Sequence, residues 1–302
     1  MSPDPKHRAV PQISRLAEIS NRYDVILCDV WGVVHDGVAA FPSASDALVE
    51  FRRRGGAVIM ITNSPRPSAP VRRQLAKLGF PPEAFDDVAT SGDVTIGLIA
   101  ERIDTPVLHV GPSRDCSLFE AAGEAAGRPA RRVGIDEAEY AVCTGLRDDV
   151  AETLDDYEAE LRAMAERAMP MVCANPDIAI HRGDTLVYCA GALAGRFEAL
   201  GGDVVYAGKP HPPIYQRALA LARKARGAPV DERRVLAVGD GMKTDIAGAA
   251  RVGLDALLVT RGIHRAALHG DEFDEPADPG KVRRLCEEFS LWPVAAIGSL
   301  AG

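Results

Sequence analysis

Short β-branched runs that end in a polar residue recur along this chain, separated by longer helical patterns, and this alternation limits the fold more than any other feature. Strands are predicted over Asp24–Cys28, Ala57–Thr62, Val204–Ala207, Val235–Gly239 and Ala256–Thr260. Such an order suggests parallel strands joined by crossover helices. Between the first two runs lies "FPSASDALVEFRRRGG", where Pro42 opens a helix, Ala47, Leu48 and Phe51 share one face, and Gly55 closes it. "HPPIYQRALALARKARG" and "TDIAGAARVG" read as two further crossover helices, the second rich in small residues and able to pack close to a sheet.

The middle of the chain has strands and helices of its own, in "TPVLHVG", "EYAVCTG", the acidic "TLDDYEAELRAMAERA", "MVCANPD" and "TLVYCAGALAGRFEALGG". The expected organisation is a core formed by residues 20–100 and 204–290, interrupted at a surface loop by an inserted α/β domain over 101–203. "LHGDEFDEPADPGK" reads as an acidic, solvated loop.

Composition narrows the function classes. A formal net charge of −8 argues against non-specific nucleic-acid binding, which needs a basic surface. No segment approaches the ~18 consecutive apolar residues of a membrane span, and "MSPDPKHRAVPQISRLAEIS" has no signal-type apolar core, so the expectation is a cytoplasmic protein without a membrane partner. Cys28, Cys143, Cys173 and Cys189 each end an apolar run and read as small buried hydrophobes, not a disulfide framework. The histidines show no ligand spacing for zinc.

Polar residues follow four of the predicted core strands: Asp29 after "VILC", Thr62-Asn63 at the end of "AVIMITN", Lys209 after "VVYAG" and Asp240 after "VLAVG". In an open parallel sheet the carboxyl ends of the strands share one edge, where ligands bind. Two carboxylates, a hydroxyl, an amide and a cation suit a phosphate together with Mg²⁺: hard oxygens hold the ion, and lysine and amide donors hold the phosphate.

The segments "DVWGV", "ITNS", "GKP" and "VGDGMKTD" resemble, in order, the four motifs of the haloacid dehalogenase (HAD) superfamily. The insertion, with "ANPD" and "GALAGRFEALGG", is similar to the large cap of class IIA, the branch of nitrophenyl and pyridoxal-phosphate phosphatases. The resemblance covers roughly residues 20–265 and implies a Rossmann-like parallel core with an inserted α/β cap. It implies that Asp29 is the nucleophile, forming an aspartyl phosphate. Mg²⁺ would be held by Asp29, Asp240, Asp245 and the backbone carbonyl of Trp31, with Asp245 holding a metal-bound water or orienting Lys209. Thr62, Asn63, Lys209 and the backbone N–H groups near Trp31 and Gly32 would hold the phosphate. Asn175 and Asp177 of the cap would reach the substrate, unless "NPD" is simply a turn. The implied partner is a small phosphorylated metabolite, and a homodimer through the cap is left open.

Trp31 departs from the family pattern. Related phosphatases place an aspartate two residues after the nucleophile, as acid to the leaving oxygen and base to the hydrolytic water. Indole can do neither, and a general acid–base is worth about 10²–10⁴ in rate. Three readings stay open: His35 or Asp36 substitutes, the leaving group needs little protonation, or the protein binds a phosphorylated ligand as a sensor with hydrolysis impaired. Superfamily dehalogenases also lack the second aspartate, but Asp240 and Asp245 favour metal-dependent phosphoryl chemistry. "TNS" is followed by Pro65-Arg66, which either places Arg66 near an anionic substrate or leaves it solvated, and His211 either faces the cleft or only begins its helix.

Overall fold

The computed structural model describes residues 9–182, 185–269 and 276–300. Most of the acidic stretch of the loop expected after Leu268 lies outside the described residues. In chain order the strands are β1 (Gln12–Ile13), β2 (Val25–Asp29), β3 (Ala57–Thr62), β4 (Asp87–Thr90), β5 (Val107–Val110), β6 (Tyr140–Cys143) and β7 (Met171–Cys173). They continue with β8 (Ala179–Arg182), β9 (Thr185–Tyr188), β10 (Val204–Tyr206), β11 (Val235–Gly239), β12 (Asp255–Val259) and β13 (Ala295–Ile297). The chain forms two compact units, one of residues 1–62, 72–89 and 215–302, the other of residues 63–71 and 90–214.

The first unit is built on a seven-stranded sheet in the order β1-β13-β12-β11-β2-β3-β4. The strand β2 pairs in parallel with β3 on one side, Val25 opposite Ala57, and with β11 on the other, Val25 opposite Val235. Val25, Ile26, Leu27 and Cys28 are fully buried, so this strand has no solvent face and reads as a continuous apolar run. After β2 the chain steps outward to β3, yet returns later as β11 on the opposite flank. The order therefore reverses between β2 and β11, which is where an α/β sheet opens a crevice at its carboxyl edge.

The helix Pro42–Arg53 begins with proline in its first turn, where a missing N–H costs nothing, and buries Ala44, Ala47, Leu48 and Phe51. The predicted "TDIAGAARVG" helix is reached through a π-helical turn, Met242–Ile246, before the α-helix Ala247–Arg251. Such turns are frequent at functional sites.

The second unit has a four-stranded parallel sheet, β10-β7-β6-β5, and an antiparallel β8–β9 pair. Its strands alternate strictly. Leu108, Val110, Ala141, Cys143, Met171 and Cys173 pack on one face against Leu161, Met164, Leu193 and Phe197. Val107, Tyr140, Val142 and Val172 point the other way, against Ile99, Ile103, Leu118 and Phe119. That period of two, with helices on both faces, is what a buried parallel sheet requires.

Two expectations are corrected here. The strand at 204–207 does not belong to the core sheet: it pairs with β7 in the second unit, Val204 opposite Met171. The boundaries also shift from 101 and 203, because residues 63–71, the helix Ser91–Glu101 and the chain up to residue 214 cluster with the second unit. Strand periodicity identifies an element but not its sheet partner.

Candidate active site

In the first unit, Asp29 ends β2, Asp240 follows β11, and Asp245 lies in the π-helical turn. Cys28 pairs with Val238, so Asp29 and Asp240 emerge side by side at the switch point of the sheet. One carboxylate oxygen from each of Asp29, Asp240 and Asp245 lies within 4.8 Å of the other two. All three are buried. Three carboxylates gathered out of water repel one another unless a cation neutralises them, and a cluster of hard oxygens fits Mg²⁺ or Ca²⁺ better than softer metals.

The surrounding backbone fixes two of these side chains. Asp240 Oδ2 accepts the Ile263 N–H at 2.7 Å. Asp245 Oδ2 accepts from the Gly241 N–H and the Thr244 hydroxyl, each at 3.1 Å. Gly32, at φ +75°, leaves so little room that a Cβ would stand 2.2 Å from Asp240 Oδ2, and one on Gly262 would stand 2.0 Å from it. Glycine is required at both positions for the backbone to close on the carboxylate. The role of "RGIH" after β12 was missed in the sequence, although its place just beyond a strand of the same sheet was a usable signal.

The loop after Asp29 is tightly built. The Gly32 N–H donates to the His35 carbonyl at 2.9 Å. The Gly37 N–H donates to His35 Nδ1 at 2.9 Å, which places the proton of the neutral ring on Nε2. Burial holds the His35 pKa below its ordinary value. Asp36 Oδ1 accepts from the N–H groups of Val38 and Ala39, at 2.9 and 3.0 Å. Those bonds, Ala39 foremost, hold its carboxyl below the usual range. Trp31 is 55% exposed, its ring edge-on to His35 at 5.6 Å. Thr62, the last residue of β3, is half-buried.

In the second unit, Asn63, Asn175, Asp177 and Lys209 form a hydrogen-bonded group. The Lys209 N–H donates to Asn63 Oδ1 at 2.7 Å, while Asn63 Nδ2 donates to the Lys209 carbonyl at 3.1 Å and to Asp177 Oδ1 at 2.8 Å. The Asp177 N–H donates to Asn175 Oδ1 at 3.1 Å, so "NPD" does form a turn. This changes the reading of Asn63. Both its amide protons and its carbonyl oxygen are engaged within the protein, and its side chain fixes the Lys209 peptide rather than reaching outward. Lys209 itself is 3% exposed and follows β10, a strand of the second unit's sheet.

The neighbouring candidates are likewise engaged. Arg66 lies close enough to Asp115 to lower its pKa, although burial is the larger influence and raises it. The His211 ring stacks on Tyr206 at 4.3 Å, and its N–H donates to the Gly208 carbonyl. Cys28, Cys143, Cys173 and Cys189 are buried and unbridged, as the apolar runs they end would have it.

The chain also matches known proteins. A haloacid dehalogenase-like hydrolase model covers residues 26–125, and a second HAD-like hydrolase model covers residues 206–283. The D-glycerol 3-phosphate phosphatase of Mycobacterium tuberculosis is 30% identical over 285 residues, spanning 93% of this chain and 76% of that one. A haloacid dehalogenase-like hydrolase from Brucella suis 1330 superposes with a TM-score of 0.79 at 42% identity, over 96% of this chain and 100% of that one. The M. tuberculosis glycerol phosphate phosphatase, solved with magnesium, gives a TM-score of 0.62 at 27% identity, over 88% of this chain and 78% of that one. Among the described residues no helix is long and apolar enough to cross a membrane. The chain belongs to the haloacid dehalogenase-like hydrolases.

Proposed function

We propose that the protein is a Mg²⁺-dependent phosphoric monoester hydrolase acting on a small phosphorylated metabolite through an aspartyl phosphate on Asp29. The observation that carries this is the buried convergence of Asp29, Asp240 and Asp245 at the sheet's switch point. It is supported by relatives that are phosphatases, one of them solved with magnesium.

In this reading Asp29, Asp240, Asp245 and the Trp31 carbonyl hold the ion, which when bound neutralises charge on the phosphoryl oxygens. Asp29 Oδ attacks phosphorus, and the ester oxygen leaves with its electron pair. The Trp31 N–H, the Thr62 hydroxyl and, by the family resemblance, the Lys209 ammonium are assigned to the phosphoryl oxygens, whereas the Gly32 N–H, expected to join them, is spent on the His35 carbonyl. Asn63 serves by positioning Lys209, and Asn175 and Asp177 serve through the turn that receives Asn63. Water then attacks phosphorus, the bond to Asp29 breaks, and phosphate departs.

A second reading, a phospho-ligand sensor with impaired hydrolysis, is favoured by Trp31 standing where the acid–base is expected. The test is phosphate release from a metabolite panel with Mg²⁺, with EDTA, and with Asp29→Asn. Release that needs both the metal and Asp29 supports the hydrolase. Binding of a phosphorylated metabolite with no phosphate release, or release of one equivalent of the leaving alcohol with the phosphoryl group retained on Asp29, supports the sensor.

A further inference from the structure

The loop that carries Trp31 joins two observations that bear on the substrate, and the inference rests on the phosphatase reading above. The first is that the polar side chains of this loop are turned to structural use. Asp36 spends Oδ1 on the N–H groups of Val38 and Ala39. His35 is 1% exposed, with Nδ1 turned to the Gly37 N–H and its ring against the Trp31 indole. Neither side chain of "HDG" is presented as a replacement for the missing acid. A leaving group that departs from Asp29's substrate therefore leaves without a proton from this loop.

The second observation is where the exposed apolar side chains of the first unit fall. The Asp240 carboxylate is bracketed by Gly32 and Gly262, whose Cβ positions would both collide with Oδ2. The residue before Gly32 is Trp31, 55% exposed, and the residue after Gly262 is Ile263, 75% exposed. Ile263 is tied to the same carboxylate through its N–H. The indole does not hang free: a Cβ on Gly37 would meet its Cζ2 at 2.7 Å, so the glycine lies close against the six-membered ring, and His35 packs on the indole in a T-shaped contact. A seated, half-exposed indole two residues after Asp29, and next to the glycine that closes on Asp240, is a flat, apolar platform. Burial in a core does not explain it, since more than half of it meets solvent.

We infer that the preferred substrates are phosphate esters with a flat aromatic leaving group, and that Trp31 is a specificity residue that stacks on the departing ring. Both features follow from the one substitution. An aryl oxide is stable enough to leave unprotonated, and an aromatic ring matches the indole face. The bonds balance simply. The P–O(aryl) bond breaks as the Asp29 O–P bond forms, the aryl oxygen keeps the electron pair and takes its proton from solvent, and the proton of the later hydrolytic water passes to solvent.

The experiment uses the full-length protein with Mg²⁺ and three probes: 4-nitrophenyl phosphate, with an acidic aryl leaving group; acetyl phosphate, with an acidic leaving group and no ring; and glycerol 3-phosphate, an alkyl ester. For the wild type, kcat/KM for the aryl ester should exceed that for the alkyl ester by at least about 10²-fold, the usual worth of the missing acid. Trp31→Ala should lower the aryl-to-acetyl ratio of kcat/KM roughly tenfold, mainly through KM, and Trp31→Phe should restore most of it. An alkyl ester hydrolysed as fast as the aryl ester, or a ratio unmoved by Trp31→Ala, overturns the inference and leaves the phosphatase reading standing. No metal-dependent release from any probe overturns both.

Discussion

Replacing Asn63 by alanine should loosen the second unit by about 3 kcal/mol. Asn63 is 5% exposed, and its amide makes three hydrogen bonds, two to the Lys209 peptide and one to Asp177. Each such bond contributes roughly 0.5–1.5 kcal/mol net, and the buried Lys209 N–H would lose this acceptor, which costs more than the bond alone. Chemical denaturation of wild type and variant at neutral pH measures the change, followed by a signal from the second unit. Asn63→Asp sharpens the test. It keeps an oxygen for the Lys209 N–H, loses both donors, and sets a carboxylate against Asp177. It should be at least as destabilising as alanine at neutral pH, and recover in part at acidic pH as one carboxyl takes a proton. Turnover should fall in both variants, because the Lys209 peptide is no longer held from two sides. An Asn63→Ala variant within about 0.5 kcal/mol of wild type would refute the lock.

Two other perturbations follow from the structure. Gly32→Ala forces a Cβ towards Asp240 Oδ2 and strains a positive φ, so kcat/KM should drop by about 10²-fold, as for a displacement near 1 Å at a reacting centre; steady-state kinetics measures this, with the melting temperature as a check on the fold. His109 is held from 6.5 down to about 4, chiefly by burial and then by Arg132 and Arg147. A folded-state pKa below the unfolded one means that its contribution is complete above the unfolded value and is lost as pH falls towards the folded one. Stability should therefore decline between pH 6.5 and 4 by up to about 3 kcal/mol from this residue, and His109→Gln should flatten that decline in denaturation curves.

Much of the first unit was legible in the sequence. The runs ending in Asp29, Thr62 and Asp240 are strands whose polar ends mark a sheet edge, because a fully buried strand can change to polar only where it leaves the core. The helix from Pro42 to Arg53 was equally legible from proline, apolar spacing and glycine. The second unit was harder. Val204–Tyr206 has the composition of a core strand, and nothing within it says that its partner is Met171–Cys173. Asn63 was read as a phosphate ligand because its motif resembles one. Its actual partners lie 114 and 146 residues away, beyond any local pattern. The seat of Trp31 on Gly37 depends on a loop geometry that periodicity does not describe.

The most direct test of the account is covalent labelling of Asp29. A radiolabelled aryl phosphate is mixed with the Mg²⁺-loaded protein, quenched in acid within milliseconds, and the label mapped by peptide and by its lability to hydroxylamine. The account predicts an acyl phosphate on the peptide containing "VILCDVWG", absent with EDTA and absent in Asp29→Asn. Metal-dependent turnover with the label on another residue, or undiminished turnover in Asp29→Asn, would contradict it.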